Sequence, residues 1–416
     1  MVAAHPRKTP VAARSYSYEV SWHEDGRWQI DSLLEDETEA VGRARMLLAQ
    51  GRGEEVKVVC YRSSSSGTQV TSELLRERRS AGKTLGFRMT GDIDQAPPCE
   101  TLADLRGLES RMTIAALFRR SLSEWQITPS ELICDWRYLR RLSDEGRALN
   151  AAVHRVAARQ VGVSAEPAAR RKALDRLVHS GLRRARDNHG RRAKLPNLRD
   201  CAPAKAGASI KDRFGPESHD ELFVLALSGR LSEEGSLLAK LDVLLGLIAS
   251  GLPDDQRGLV EAVLADCLGF PEILTELFPE SARLADFIDR LVDLLQGHPP
   301  QAAAGSGARL QAIGILLAAG HAPSCERVLL ERLRRELAGQ APLDRHTPHN
   351  EARCLQLLSR SLRCSNGDWL GGPAMQAALA TRKRRLRDSG LRDLGLESAA
   401  DALSTAGKEP AAAVSD

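Results

Sequence analysis

"SYSYEVSWHEDGRWQI", Ser15 to Ile30, decides how the chain is read. Tyr16, Tyr18, Val20 and Trp22 alternate with Ser15, Ser17, Glu19 and Ser21, the period of two that a half-buried strand requires. Asp25-Gly26 supplies residues that tolerate positive φ in a two-residue hairpin turn, and Trp28 and Ile30 resume the alternation. The stretch reads as a β-hairpin. Its tyrosines and Trp22 share a face with Val20, so that face is the one a helix covers, and Glu19 and the serines point outward. Over 36–50 the period changes: Ala40, Val41, Ala44, Leu47 and Leu48 fall on one helical stripe, which "QGRGE" closes with glycines. "EVKVVCY" then predicts a third strand and "TQVTSEL" a fourth, with "SSSSG" as the turn between them. The result is a ββαββ module over 15–76, a small antiparallel sheet with one helix on one face.

Beyond it the periodicity is helical. Residues 77–100 mix charge, Gly and Pro and read as a linker. Helices are expected over 111–125, 129–143, 145–161 and 167–187. Thr101-Leu-Ala-Asp104 and Thr128-Pro129-Ser130-Glu131 have the hydroxyl and carboxylate spacing of capping boxes, and Ile127 and Leu132 are placed for a hydrophobic staple. Residues 188–217, with most of "KLPNLRDCAPAKAGASIKDRFGPES", read as a second linker, and Pro253, Pro271, Pro279 and Pro323 as markers of helix starts. The expectation is an α+β chain: a small N-terminal sheet-plus-helix module followed by a large all-α region. That region divides into a basic helical domain over 101–187 and an acidic one over 218–402, with disordered ends at 1–14 and 403–416.

Composition fits this picture. Of 416 residues 42% are apolar but only 4% aromatic, so the cores are built from Leu, Ala, Val and Ile, which suits packed helices and argues against an all-β fold. No apolar run reaches the ~18 residues a membrane span needs, and the basic N-terminus lacks the apolar segment of a secretory signal. The eight cysteines are scattered without CxxC pairs, as expected of reduced thiols in the cytoplasm. Arginine outnumbers lysine 49 to 10, the codon signature of a GC-rich bacterial genome. The net charge of +4 conceals an asymmetry: residues 101–214 carry 24 basic and 12 acidic side chains, residues 217–300 carry 5 and 16. Blocks of +12 and −11 are expected to neutralise each other within the molecule or across a dimer.

Motifs of chemistry fail on context. "AGKT" at 81–84 has Glu77 where a phosphate-binding loop needs its first glycine. "GRGEEV" at 51–56 lies between a helix and a strand, the reverse of dinucleotide-binding order. His346 and His349, near Glu351, Cys354 and Cys364, lack standard zinc spacing and read as a surface turn whose Thr347 or Asn350 caps a helix. Asp92 and Asp94 fall in a linker; Asp254 and Asp255 fall in a helix's first turn, where negative charge suits the dipole. No catalytic residue, cofactor or metal ligand is therefore assigned.

What remains is charge. "RRARDNHGRRAK", Arg183 to Lys194, is the densest basic stretch, and residues 170–194 hold ten basic side chains against two aspartates. Ala173, Leu174, Leu177, Val178 and Leu182 form the apolar stripe of that helix, leaving Arg170, Arg171, Arg183, Arg184, Arg186, Arg191 and Arg192 around the rest. A second cluster over 382–387 adds Arg384, Arg385 and Arg387. Such clusters meet either a protein partner or the phosphates of a nucleic acid. Residues 139–213 contain no Phe, Tyr or Trp to stack bases, which favours the first. The chain thus reads as a non-enzymatic intracellular adaptor or regulatory protein that makes protein contacts through helical surfaces. The alternative is a nucleic-acid-associated protein holding phosphates through the 170–194 and 382–387 arginines, and an enzyme with an anionic metabolite in a cleft between the two blocks is a third reading.

Overall fold

The computed structural model describes residues 15–24, 27–49, 55–63, 69–78, 89, 91, 93, 96–144, 146–160, 166–279, 281–299, 304–344 and 350–393. Both ends expected to be disordered, the Asp25-Gly26 turn, Asp92 and Asp94, and "AGKT" and "HTPH" lie outside these residues, as does the Gly51–Gly53 pair of "GRGEEV". The chain forms an α+β structure of two units, Met1–Thr84 and Leu85–Asp416.

In the first unit β1 (Ser15–Glu24), β2 (Arg27–Leu34), β3 (Glu55–Ser63) and β4 (Gln69–Arg78) make an antiparallel sheet in the order β2-β1-β3-β4. Helix α1 (Glu37–Ala49) covers one face, and Ala40, Ala44 and Leu47 bury against Tyr18, Val20, Val56 and Val58. The expected alternation holds for Tyr18, Val20 and Trp22, whereas Tyr16 remains 42% exposed. Trp28 and Ile30 do not continue that face. Directly paired residues share a face, and Trp28 opposes His23 while Ile30 opposes Ser21, so both project from the side opposite Tyr18. Ser21, read as outward and solvated, is buried, its hydroxyl donating to Glu19 at 2.8 Å. The β1–β2 register slips between Val20 and Ser21, making Asp31 a bulge residue whose carboxylate reaches Arg43 of α1 at 2.7 Å.

The second unit is helical: α2 (Leu102–Arg106), α3 (Leu108–Glu124), α4 (Pro129–Cys134), α5 (Trp136–Asp144), α6 (Arg147–Gln160), α7 (Pro167–Arg191), a 3-10 turn (Arg192–Lys194), α8 (Pro203–Phe214), α9 (Pro216–Leu231), α10 (Leu237–Ala249), α11 (Asp254–Leu268), α12 (Pro271–Leu277), α13 (Leu284–Leu295), α14 (Ala304–Ala318), α15 (Pro323–Ala338), α16 (Glu351–Ser361) and α17 (Gly372–Asp393). Both capping boxes form, Thr101 with Asp104 and Thr128 with Glu131, and Ile127 and Leu132 are buried. The single helix expected over 129–143 is broken at Asp135, whose extended backbone separates α4 from α5.

Three stretches differ from the sequence pattern. Residues 188–217, read as a linker, hold the end of α7, the 3-10 turn and α8, with Ala206 and Ile210 fully buried. Their prolines and glycines punctuate helices: Pro203 opens α8, and Gly215, at φ +85, closes it before Pro216 opens α9. Of 77–100, the first two residues extend β4, and Ile93, Ala96 and Cys99 are buried in the helical unit. Gly91 donates its N–H to the Leu117 carbonyl, and a Cβ there would stand 1.7 Å from the Ala116 carbonyl oxygen, so only glycine fits. Pro253, Pro271 and Pro323 start helices as expected, while Pro279 lies in the turn after α12, five residues before α13. One apolar core runs from Ile93 to Leu379, drawing on basic and acidic stretches alike.

Candidate interaction surface

Helix α7 carries eight of the ten Lys and Arg residues between 170 and 194, and its two sides use them differently. Pro167 at the first turn starts it; Leu174 is buried, and Leu177, Val178 and Leu182 are half-buried beside it. Ala173, read as part of this stripe, is exposed.

Four of the seven arginines singled out between 170 and 192 turn inward. Arg184 Nε meets Glu221 Oε2 at 2.7 Å, where Arg106 Nη1 binds Oε1 at 2.5 Å and Asn188 Nδ2 donates to Oε2 at 2.6 Å. Burial pushes the Glu221 carboxyl up, but Arg184 and Arg106 with the Asn188 amide outweigh it and hold the group below the usual carboxylate range. Arg192 Nη1 lies 2.5 Å from Asp135 Oδ2, a fully buried carboxylate that Arg137 also contacts at 2.7 Å and to which the Ser228 hydroxyl donates. There too burial pushes upward, and Arg137 and Arg192 reverse the sign. Arg170 donates to Gln160 Oε1 at 2.7 Å and to the Cys99 carbonyl at 2.8 Å. Arg191 lies over the Phe214 ring, 5.8 Å from its centroid, with Nη1 3.4 Å from Ser218 Oγ.

The other three point outward. Arg171 approaches Asp175 at 3.9 Å, and Arg183 and Arg186 are exposed. With Lys172, Arg176 and His179, also exposed, Arg183 and Arg186 form a row at spacings of 4, 3, 4 and 3 residues. Such residues stack along one side of a helix, here over about 21 Å. Lys172 and Arg176 were not singled out by charge density; their place in this row was the available signal.

The 382–387 cluster is built on another principle. Arg382 is buried, pairing with Glu351 at 2.7 Å and donating to the carbonyls of Glu336, Leu337, Gly339 and Ala341, and Arg385 donates to those of Ala338 and Gly339. These guanidinium groups satisfy the open carbonyls at the end of α15, where positive charge also suits the dipole. Arg384 and Arg387 are exposed; Arg387 and Lys383 flank a shallow groove between α16 and α17 floored by Leu355 and Leu386.

Elsewhere the chemistry is structural. Glu351 is held by Arg382 and the Leu343 N–H, Asn350 makes no side-chain cap of α16, and Cys354 and Cys364 are half-buried. Asp254 and Asp255 sit in the first turn of α11, and Asp255 pairs with Lys211 at 2.5 Å. Among the described residues, no three His, Cys, Asp or Glu side chains gather into a metal-binding group, and no single helix is long and apolar enough to cross a membrane. Comparisons with family models, curated proteins and solved structures find no match.

Proposed function

We propose that this chain is a non-enzymatic adaptor or regulatory protein of the bacterial cytoplasm, and that its helical unit docks an acidic protein partner along the outward side of α7. The observation that carries the reading is the division of the α7 charges. Glu221, Asp135 and the Gln160–Cys99 corner occupy Arg184, Arg192 and Arg170, whereas Lys172, Arg176, Arg183 and Arg186 face solvent in register. A partner helix with Glu or Asp at the same 4-3-4-3 spacing meets that row side chain to side chain. Exposed Asp187 beside Arg186, and Asp175 beside Arg171, interrupt the positive field that a continuous phosphate backbone would require.

The test compares a helical peptide carrying that acidic spacing with random duplex DNA of similar length, each titrated across a salt series. Tighter peptide binding, lost on the joint substitution Arg183→Gln and Arg186→Gln, supports the adaptor. Tighter duplex binding, with log K falling by about 3 to 4 per decade of salt as four phosphate contacts require, replaces it with the nucleic-acid reading.

A further inference from the structure

Behind α7 the core of the helical unit is not closed. One buried group, around Leu117, Phe118, Leu132 and Leu142, belongs to the main core; a second, Cys99, Val153, Ala157 and Leu174, forms a separate cluster. Between the two lies a cavity of about 130 Å³ whose wall draws on α2 to α7 and on the 96–99 segment. Its surface is almost wholly hydrocarbon. The polar side chains at the wall are Arg106, Ser110, Thr113 and Gln160, together with the Cys99 thiol. Arg106 is engaged with Glu221, Thr113 with the Glu109 carbonyl, and Gln160 with both the Pro97 carbonyl and Arg170, while Ser110 stands beside the Cys99 thiol.

Water is stable in a cavity only when several polar groups hold it, whereas an apolar cavity of similar size, about 150 Å³, stays dry and takes up benzene. The wall holds no buried side-chain nitrogen or oxygen that lacks a hydrogen-bond partner, and its charged group, Arg106, is paired with Glu221. An anionic head would find Arg106 already committed, and a carboxylate carried inside would lose its hydration without compensation.

We propose that this cavity is a binding site for a small uncharged apolar molecule, of the size of a monocyclic aromatic or a short branched hydrocarbon. The site is independent of the outward row on α7 and of what docks there.

The experiment uses the full chain with toluene and, as a charged molecule of matched shape, benzoate. Near-saturating toluene raises the melting temperature by about 2 to 4 °C, and benzoate leaves it unchanged. Ala152→Leu, which places a larger side chain into the wall, abolishes the toluene shift. Without any substitution, toluene slows modification of Cys99 by a small uncharged thiol reagent at least threefold, read peptide by peptide in mass spectrometry. The absence of a toluene shift together with unchanged Cys99 reactivity overturns the site, and a benzoate shift equal to that of toluene overturns the uncharged assignment.

Discussion

The cations inside the helical unit and those along the outer side of α7 are the same residue types, lysine and arginine, yet only the first group is tied to the fold. Arg111 and Asp266 pair at 2.9 Å with side chains 8% and 3% exposed, and Lys240 and Glu131 at 2.7 Å with 2% and 1%. Neutral partners add to both pairs: Arg111 also donates to the Arg106 and Ala262 carbonyls, Asp266 accepts from the Ser130 backbone and hydroxyl, and Lys240 donates to the Gln126 carbonyl. In the outer row Lys172, Arg176, Arg183 and Arg186 are exposed, and His179 contacts the Asp175 carbonyl of its own helix. Charge density alone therefore says little about use; the decisive quantity is whether a counter-charge from another helix arrives before solvent does.

The sharpest way to break the comparison is to remove one member of a buried pair. Lys240→Met leaves Glu131 buried without its cation and is expected to cost about 3 to 5 kcal/mol, with a similar loss for Arg111→Met. Urea unfolding followed by circular dichroism measures both. A loss under about 1 kcal/mol for either would place these pairs in the same class as surface contacts.

Intermediate effects come from the carboxylates that hold α7, Glu221 and Asp135. Glu221→Gln leaves Arg106 and Arg184 facing a neutral amide and is expected to cost about 1 to 3 kcal/mol near neutral pH. The pH dependence follows from the sign of the shift. The Glu221 and Asp135 carboxyls lie below their ordinary values of 4.5 and 3.8, so each adds stability above those values that is lost as pH falls through the lower, folded-state value. The gap between wild type and Glu221→Gln should therefore narrow as pH is taken from about 6 to about 3. A gap that widens on acidification contradicts the assignment of Arg184 and Arg106 as the groups that hold Glu221 ionised.

These pairs also explain which parts of the molecule could be read in advance. The period-two alternation of Tyr18, Val20 and Trp22 and the Thr128–Glu131 capping box depend on residues within a few positions, and both appear in the structure. Arg106 and Glu221 are separated by 115 positions, Glu131 and Lys240 by 109, Arg111 and Asp266 by 155. No local pattern announces such partners; only the opposite totals of the two blocks hinted at them, and the polarity of Lys240 with Glu131 runs against even those totals. The face of Trp28 does not follow from alternation alone, because it is set by the partner strand: opposite His23, it stands beside Lys57, whose Nζ lies 4.5 Å from the ring centroid. The misread linker at 188–217 shows a related ambiguity. Pro203 and Pro216 mark loops and helix starts with equal force, and the burial of Ala206 and Ile210 that decides between them comes from tertiary packing.

The smallest stability effect is expected where the functional effect should be large. Arg183→Gln with Arg186→Gln changes two exposed side chains on the outer row of α7, and the unfolding free energy should move by no more than about 0.5 kcal/mol. Binding of the acidic helical peptide should weaken at least fivefold in the same variant, through faster dissociation as well as slower, salt-sensitive association. Arg184→Gln gives the reverse pattern, lowering stability through Glu221 while leaving the outer row in place. The two variants thus separate a docking role from a structural one on adjacent positions of a single helix. If Arg183→Gln with Arg186→Gln destabilised the protein as much as Arg184→Gln, the outer row would belong to the fold, and α7 would present no surface reserved for a partner.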